Sequence, residues 1–192
     1  MKKIILSLLV SAMMFTWVSC GDGRQDSTEV AEDQNEETVD NKKEDDAEFA
    51  VEAADAGMLE VQLGTLALTK GSSPEVKKFA QMMVDDHTKA NNELKALAQQ
   101  KNITLPTTLG NQHQRKLDNF NDKTGADFDK EYMDLMVKDH KEVIDAFEDE
   151  AEEGNDAELK SWASSKLSAL RHHHQEAERI QELVKNNKKN NQ

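Results

Sequence analysis

The chain has one cysteine, two prolines and one tyrosine in 192 residues, and aromatic side chains make up only 5% of it. A single cysteine excludes an internal disulfide, a Cys-x-x-Cys redox pair and a cysteine-built zinc cluster. Two prolines, Pro74 and Pro106, leave long stretches without a helix breaker. No alternating apolar–polar run stands out, so nothing signals a half-buried strand. Positive charge is scarce: 24 Lys and Arg face 38 Asp and Glu, a net charge of −14. Such a chain repels phosphate, which excludes nucleic acid as a partner. Also missing are His-Glu-x-x-His, a phosphate-cradling glycine loop, Gly-x-Ser-x-Gly and an EF-hand pattern. No catalytic residue is assigned on this basis.

One apolar run is long enough to matter. Lys2 and Lys3 precede Ile4 to Val18, and the run closes on Ser19-Cys20. Basic start, apolar middle and a small residue before Cys predict a lipoprotein signal peptide over 1–19 and lipidation of Cys20. The run is too short for a comfortable membrane span, which needs about 20 apolar residues. The expected membrane partner is therefore met through an N-terminal lipid anchor. Residues 21–46 then carry 11 acidic and 3 basic side chains, with Val30 and Val39 as the only apolar ones larger than Ala. Little there can offset the entropy of ordering, so residues 20–46 are expected to form a lipidated, disordered acidic tether.

From about residue 47 to 185 Ala, Leu, Met, Glu, Lys and Gln dominate. Apolar positions recur at three- and four-residue spacing, the period of an amphipathic helix. Four helices are expected, over about 46–69, 74–100, 125–153 and 155–185. The first offers Ala50, Ala54, Gly57, Val61, Gly64 and Leu68 to a core. Ser72 with Glu75 has capping-box spacing, and Pro74 suits a first helical turn. Residues 186–192 read as a disordered tail. Four such helices make an all-α four-helix bundle. Short first and third links predict antiparallel hairpins. The middle link, about 101–123, is long enough to cross the whole bundle and should hold a short helix near Gln112 to Asn121. That leaves a ferritin-like crossover and a simple up-down order both open.

The second and third helices echo each other. Met83-Val84-Asp85-Asp86-His87 matches Met136-Val137-Lys138-Asp139-His140. Both histidines fall on the core-facing seam near mid-height, as does His173 of the antiparallel fourth helix, with Glu60 at that level on the first. Three imidazoles and a carboxylate at one height are the donor set of a mixed nitrogen–oxygen metal site for zinc, iron or copper. Asp86, Asp139, Met83 and Met136 stand close enough in sequence to support such a site, the methionines only in the copper case. The same residues could instead form a hydrogen-bonded polar layer that fixes helix register. His172 and His174 flank His173 and should face solvent.

The ordered series Gly57-Met58-Leu59-Glu60, Val76 to His87, Phe128-Asp129-Lys130-Glu131-Tyr132, Met136 to His140 and Leu167-x-x-Leu170-Arg171-x-His173 resembles a bacterial outer-membrane protein family, domain of unknown function 4142. The resemblance covers about residues 47–184. It implies a ferritin-like fold in the cell envelope and places Glu60, His87, His140 and His173 on family motifs, but implies no reaction. Ser168 stands where proline is expected and His174 where leucine is. No Glu-x-x-His occurs, since Val84, Val137 and Leu170 stand three residues before the seam histidines. Di-iron oxygenase chemistry is therefore not expected. Two functional readings follow. One is a non-enzymatic, lipid-anchored interaction or stress-protection module of the envelope. The other is a metal-binding or metal-dependent redox protein built on the seam histidines.

Overall fold

Helix-forming residues at helical spacing become six helices in a computed structural model, which describes residues 25–190, with side chains through residue 186. They are α1 (Ser27–Thr38), α2 (Glu44–Lys70), α3 (Pro74–Lys101), α4 (Asn111–Asp118), α5 (Gly125–Glu153) and α6 (Ala157–Asn190), with one 3-10 turn at Asn41–Lys43. The expected signal peptide over 1–19 and the expected lipidation site, Cys20, lie outside the described residues. Among the described residues no helix is long and apolar enough to cross a membrane.

The long helices α2, α3, α5 and α6 form the bundle. The strongest pairings are α2 with α3 and α5 with α6, and the hairpins then meet through α2 against α5 and α3 against α6. The ends fix the direction. Asp129, near the start of α5, accepts bonds from Ser72 N, Ser72 Oγ and Ser73 N at the α2–α3 turn, at 2.6–3.1 Å. At the opposite end Asp46 of α2 accepts from Asn155 N at 2.7 Å and Asp156 N at 2.6 Å, in the α5–α6 turn. So α5 starts where α3 starts, and residues 102–124 run the full length of the bundle. This is the ferritin-like crossover, and it removes the up-down alternative. The short helix within the link is α4.

Local chemistry explains the boundaries. Ser73 rather than Ser72 caps α3, accepting from Val76 N at 3.4 Å, because Ser72 is taken by Asp129. Asp156 caps α6 through Glu158 N and Leu159 N, so that helix begins two residues after the expected Asn155. Gly125, the first residue of α5, has φ +61°, a conformation that costs side-chain-bearing residues and that glycine adopts freely. At the C-terminus α6 continues through Asn190 where a disordered tail was expected from residue 186; the last two residues lie outside the described part.

The acidic tether needs the largest correction. From Ser27 it is folded and packs on α2. Polar bonds order it, not apolar area. Asp26 caps α1 through Thr28 N and also takes Asn111 N at the start of α4. Asn35, 4% exposed, grips the crossover backbone by donating to Thr104 O at 3.0 Å and accepting from Thr104 N at 2.7 Å. Only Ala31 adds a buried apolar side chain in α1. The folded unit therefore begins near residue 26, not 47.

Two apolar regions fill the bundle. One holds Leu59, Leu63, Met83, Phe128, Tyr132 and Met136; toward the other end lie Ala50, Leu94, Leu159 and, beside them, Phe49, Phe147 and Leu170. Burying each large side chain contributes about 1.5–3 kcal/mol. On α2 the buried stripe is turned slightly from expectation: Val61 and Leu68 are half-buried at its edge, while Glu60 and Ala67 point inward. Glu60 thus enters the layer between the two apolar regions.

Candidate metal centre

Each bundle helix delivers one polar side chain to that layer: Glu60 from α2, His87 from α3, His140 from α5 and His173 from α6. Their exposures are 3%, 7%, 0% and 2%. The imidazole rings form a triangle with centroids 5.8 Å (His87–His140), 5.3 Å (His87–His173) and 5.6 Å (His140–His173) apart. One ligand atom from each histidine lies within 4.8 Å of the other two. Around a tetrahedral metal with bonds of about 2.1 Å the nitrogens would stand about 3.4 Å apart, a contraction that small ring movements supply.

The outer nitrogens decide which atoms face inward. His87 Nδ1 lies 2.7 Å from Glu60 Oε2. His140 Nδ1 lies 3.0 Å from the Met136 carbonyl oxygen, with Glu60 Oε1 at 3.4 Å. His173 Nε2 lies 2.9 Å from Asp86 Oδ2. All three partners are acceptors, so the protons belong on these nitrogens. That leaves His87 Nε2, His140 Nε2 and His173 Nδ1, and none of the three has a hydrogen-bond partner although all are buried. Carboxylate or carbonyl behind, lone pair in front, is how a metal-binding histidine is oriented.

Electrostatics agree with this division. Burial opposes charge on Glu60, yet His87 and then His140 outweigh it and hold the carboxyl down at about 2. Burial also works against charge on His87, but Glu60, then Asp86, raise it above the ordinary value. His140 is pushed down to about 4, by burial first. His173 is also lowered by burial, against the opposing bond to Asp86. Two imidazoles are therefore neutral at pH 7, the form that offers a lone pair.

The expected site residues are thus placed as follows. His87, His140 and His173 converge. Glu60 is with them, but behind His87 rather than at the centre. Asp86 supports His173. Asp139 does not support a histidine: its Oδ2 is held by Lys116 at 3.1 Å. The Met83 and Met136 side chains lie in the apolar core, and Met136 serves through its carbonyl. His172 is exposed and His174 partly so.

A cavity of about 380 Å³ opens beside the layer and reaches Glu60 and His87. Its other walls include Trp162, Asp139 and three residues missed in the sequence, Asp55, His113 and Lys116. Asp55 Oδ2 lies 2.7 Å from His113 Nδ1, and Asp55 Oδ1 accepts from Gly110 N at 2.8 Å. His113 and Lys116 sit on α4, which meets α2 only because the crossover runs along it. No periodicity in the sequence could have paired them with α2.

Comparison with curated proteins and with solved structures finds no match. The family model described as domain of unknown function (DUF4142) matches residues 30–180, a span from α1 to α6, and the chain belongs to that family.

Proposed function

We propose that this protein binds a divalent first-row transition metal through His87 Nε2, His140 Nε2 and His173 Nδ1. The observation that carries the reading is the set of three buried histidines with ligand atoms within 4.8 Å of one another, each ring holding an acceptor at one nitrogen and leaving the other without a hydrogen-bond partner. The neutral imidazoles of His140 and His173 offer lone pairs at once, and His87 offers its own on giving up its proton to an incoming cation. Two carboxylates, Glu60 and Asp86, match a divalent charge. Imidazole-rich sites suit zinc and copper as well as iron. Lipidation at Cys20 and an envelope location remain part of the proposal, supported by the sequence pattern at residues 2–20.

The 2.7 Å contact between Glu60 and His87 also favours a second reading, in which the layer only fixes helix register inside a non-enzymatic interaction module. Elemental analysis and thermal melting of residues 25–192, with and without Zn²⁺, separate the two. The metal reading expects about one equivalent of bound metal. It also expects a rise in melting temperature that is lost in His87→Ala/His140→Ala, because a ligand that binds only the folded state stabilises it. No bound metal and no rise would refute it. Membrane release of a Cys20→Ala chain tests the anchor, and a variant still processed and membrane-bound would refute that part.

A further inference from the structure

We infer that the cavity is the entry route of the metal, and that Asp139 is the last protein ligand an incoming ion meets before the histidines. This rests on the metal reading above. A buried site needs a path. The cavity meets the layer at His87 and Glu60, and His87 is the most exposed of the three rings. Farther out the walls carry Asp26, Glu32, Glu52 and Glu142. An acidic, low-dielectric cleft concentrates cations and repels anions.

Acidity alone would not define a station on the way. Asp139 does. It is 6% exposed, lines the cavity, and its Oδ1 is buried without a hydrogen-bond partner. Its sequence neighbour is the ligand His140. The other oxygen, Oδ2, is held at 3.1 Å by Lys116 of α4, another wall residue. A tethered ammonium thus stands against the carboxylate that a hydrated divalent cation would use to shed its first waters. Entry requires the ion to take Oδ1 and then to displace Lys116. The ion passes on to the imidazoles, and Lys116 returns to Asp139 behind it.

A station on a route lowers a barrier in both directions without changing the end states. Stopped-flow mixing of Zn²⁺ with residues 25–192, followed by competition with a coloured zinc chelator, reads association and release separately. For Asp139→Asn we expect association and release each slowed by about tenfold, with Kd within about threefold of wild type. For Lys116→Gln we expect association about fivefold faster. Added salt should slow the wild type more than Asp139→Asn. The melting temperatures of both variants show whether they are folded. If folded Asp139→Asn leaves both rates unchanged, the route is overturned. If it slows association and weakens Kd in proportion, Asp139 belongs to the site and the route is again overturned. If Zn²⁺ fails to bind the wild type, both this inference and the metal reading fall; normal binding with unaltered kinetics removes the route alone.

Discussion

Glu60→Gln isolates the charge that organises the histidines. The substitution keeps size and one acceptor oxygen, and removes the negative charge facing His87 Nδ1 at 2.7 Å and His140 Nδ1 at 3.4 Å. In the metal-free protein the loss is a charge-assisted contact inside a buried layer. His87 can return to its neutral form, so the full penalty for stranding a charge does not apply. The expected cost is about 1–2 kcal/mol. At about 2–4 °C per kcal/mol for a domain of this size, the melting temperature should fall by about 2–8 °C. With metal the effect is separate. Outer partners of metal-bound histidines typically contribute 10–100-fold in affinity, so Zn²⁺ should bind about 10–100-fold more weakly, or about 1.4–2.7 kcal/mol. Calorimetric titration measures the second number and a thermal scan of the apoprotein the first. Zinc affinity within about twofold of wild type, in a variant that melts lower, would mean that Glu60 does not orient a ligand. A variant that melts higher would mean that burying the carboxylate costs more than its histidine contacts return.

Two further outcomes follow from polar groups away from the centre. Burial, then the charge of Asp46, raise the Glu150 carboxyl to about 7, with Asp156 adding to the rise and Lys160 opposing it. The folded state then holds a proton that the unfolded chain loses above its ordinary range near 4.5. Stability should therefore fall as pH rises from about 4.5 to 7 and be level above. Glu150→Gln removes that fall, so it should gain about 1–2 kcal/mol over wild type at pH 8 after allowing for partial solvent access, and nothing at pH 4. Paired denaturant titrations at the two pH values check it, and equal gains at both would refute the linkage. Asn35→Ala leaves the Thr104 N–H and C=O without their partner, which should cost about 1–3 kcal/mol. Hydrogen exchange should show the loss confined to α1 and the crossover, and exchange unchanged in α1 would refute that residue's role as its clamp.

Much of the fold was legible because it depends on local rules. The four long helices follow from three- and four-residue spacing, and the crossover was one of two orders that the length of residues 102–124 permits. The histidines could be placed at one height because helical rise is constant. What escaped depends on partners far apart in sequence. α1 carries little apolar surface, and its order comes from Asp26 and Asn35 reaching residues 111 and 104. A composition argument counts apolar area and cannot see such bonds. Ser72 looked like a cap until Asp129, 57 residues on, claimed it. Glu60 was picked out by height, but whether it would ligate or orient depended on the His87 rotamer. Lys116 with Asp139 and His113 with Asp55 pair across the crossover, whose path no spacing reveals.

A second internal correspondence bears on whether the polar layer is needed for folding. At an offset of 83 residues, Asp46 corresponds to Asp129, Gly71 to Gly154, Ser73 to Asp156, Val76 to Leu159 and Ala80 to Ala163. Each pair does the same work: the aspartates clasp the opposite hairpin turn, the glycines end a helix, Ser73 and Asp156 start one, and the apolar pairs are buried. The frame is thus duplicated, but the centre is not. At the same offset Glu60 meets Val143, His87 meets Leu170, His140 meets Gly57 and His173 meets Ala90. Every polar member of the layer has an apolar or small counterpart in an equivalent half of the bundle. Those counterparts line the cavity, so the duplicated frame folds with apolar or small side chains at these positions. On that basis an apolar replacement of roughly equal volume, Glu60→Met with His87→Leu, His140→Leu and His173→Leu, should fold. Its metal-free stability should be equal to wild type or greater by about 1–4 kcal/mol, as replacing a buried ion pair as a unit often gives. Its melting temperature should no longer respond to Zn²⁺. A variant that is unfolded, or less stable by more than about 2 kcal/mol, would show that the histidines hold the bundle together, and the case for a metal would lose its main support.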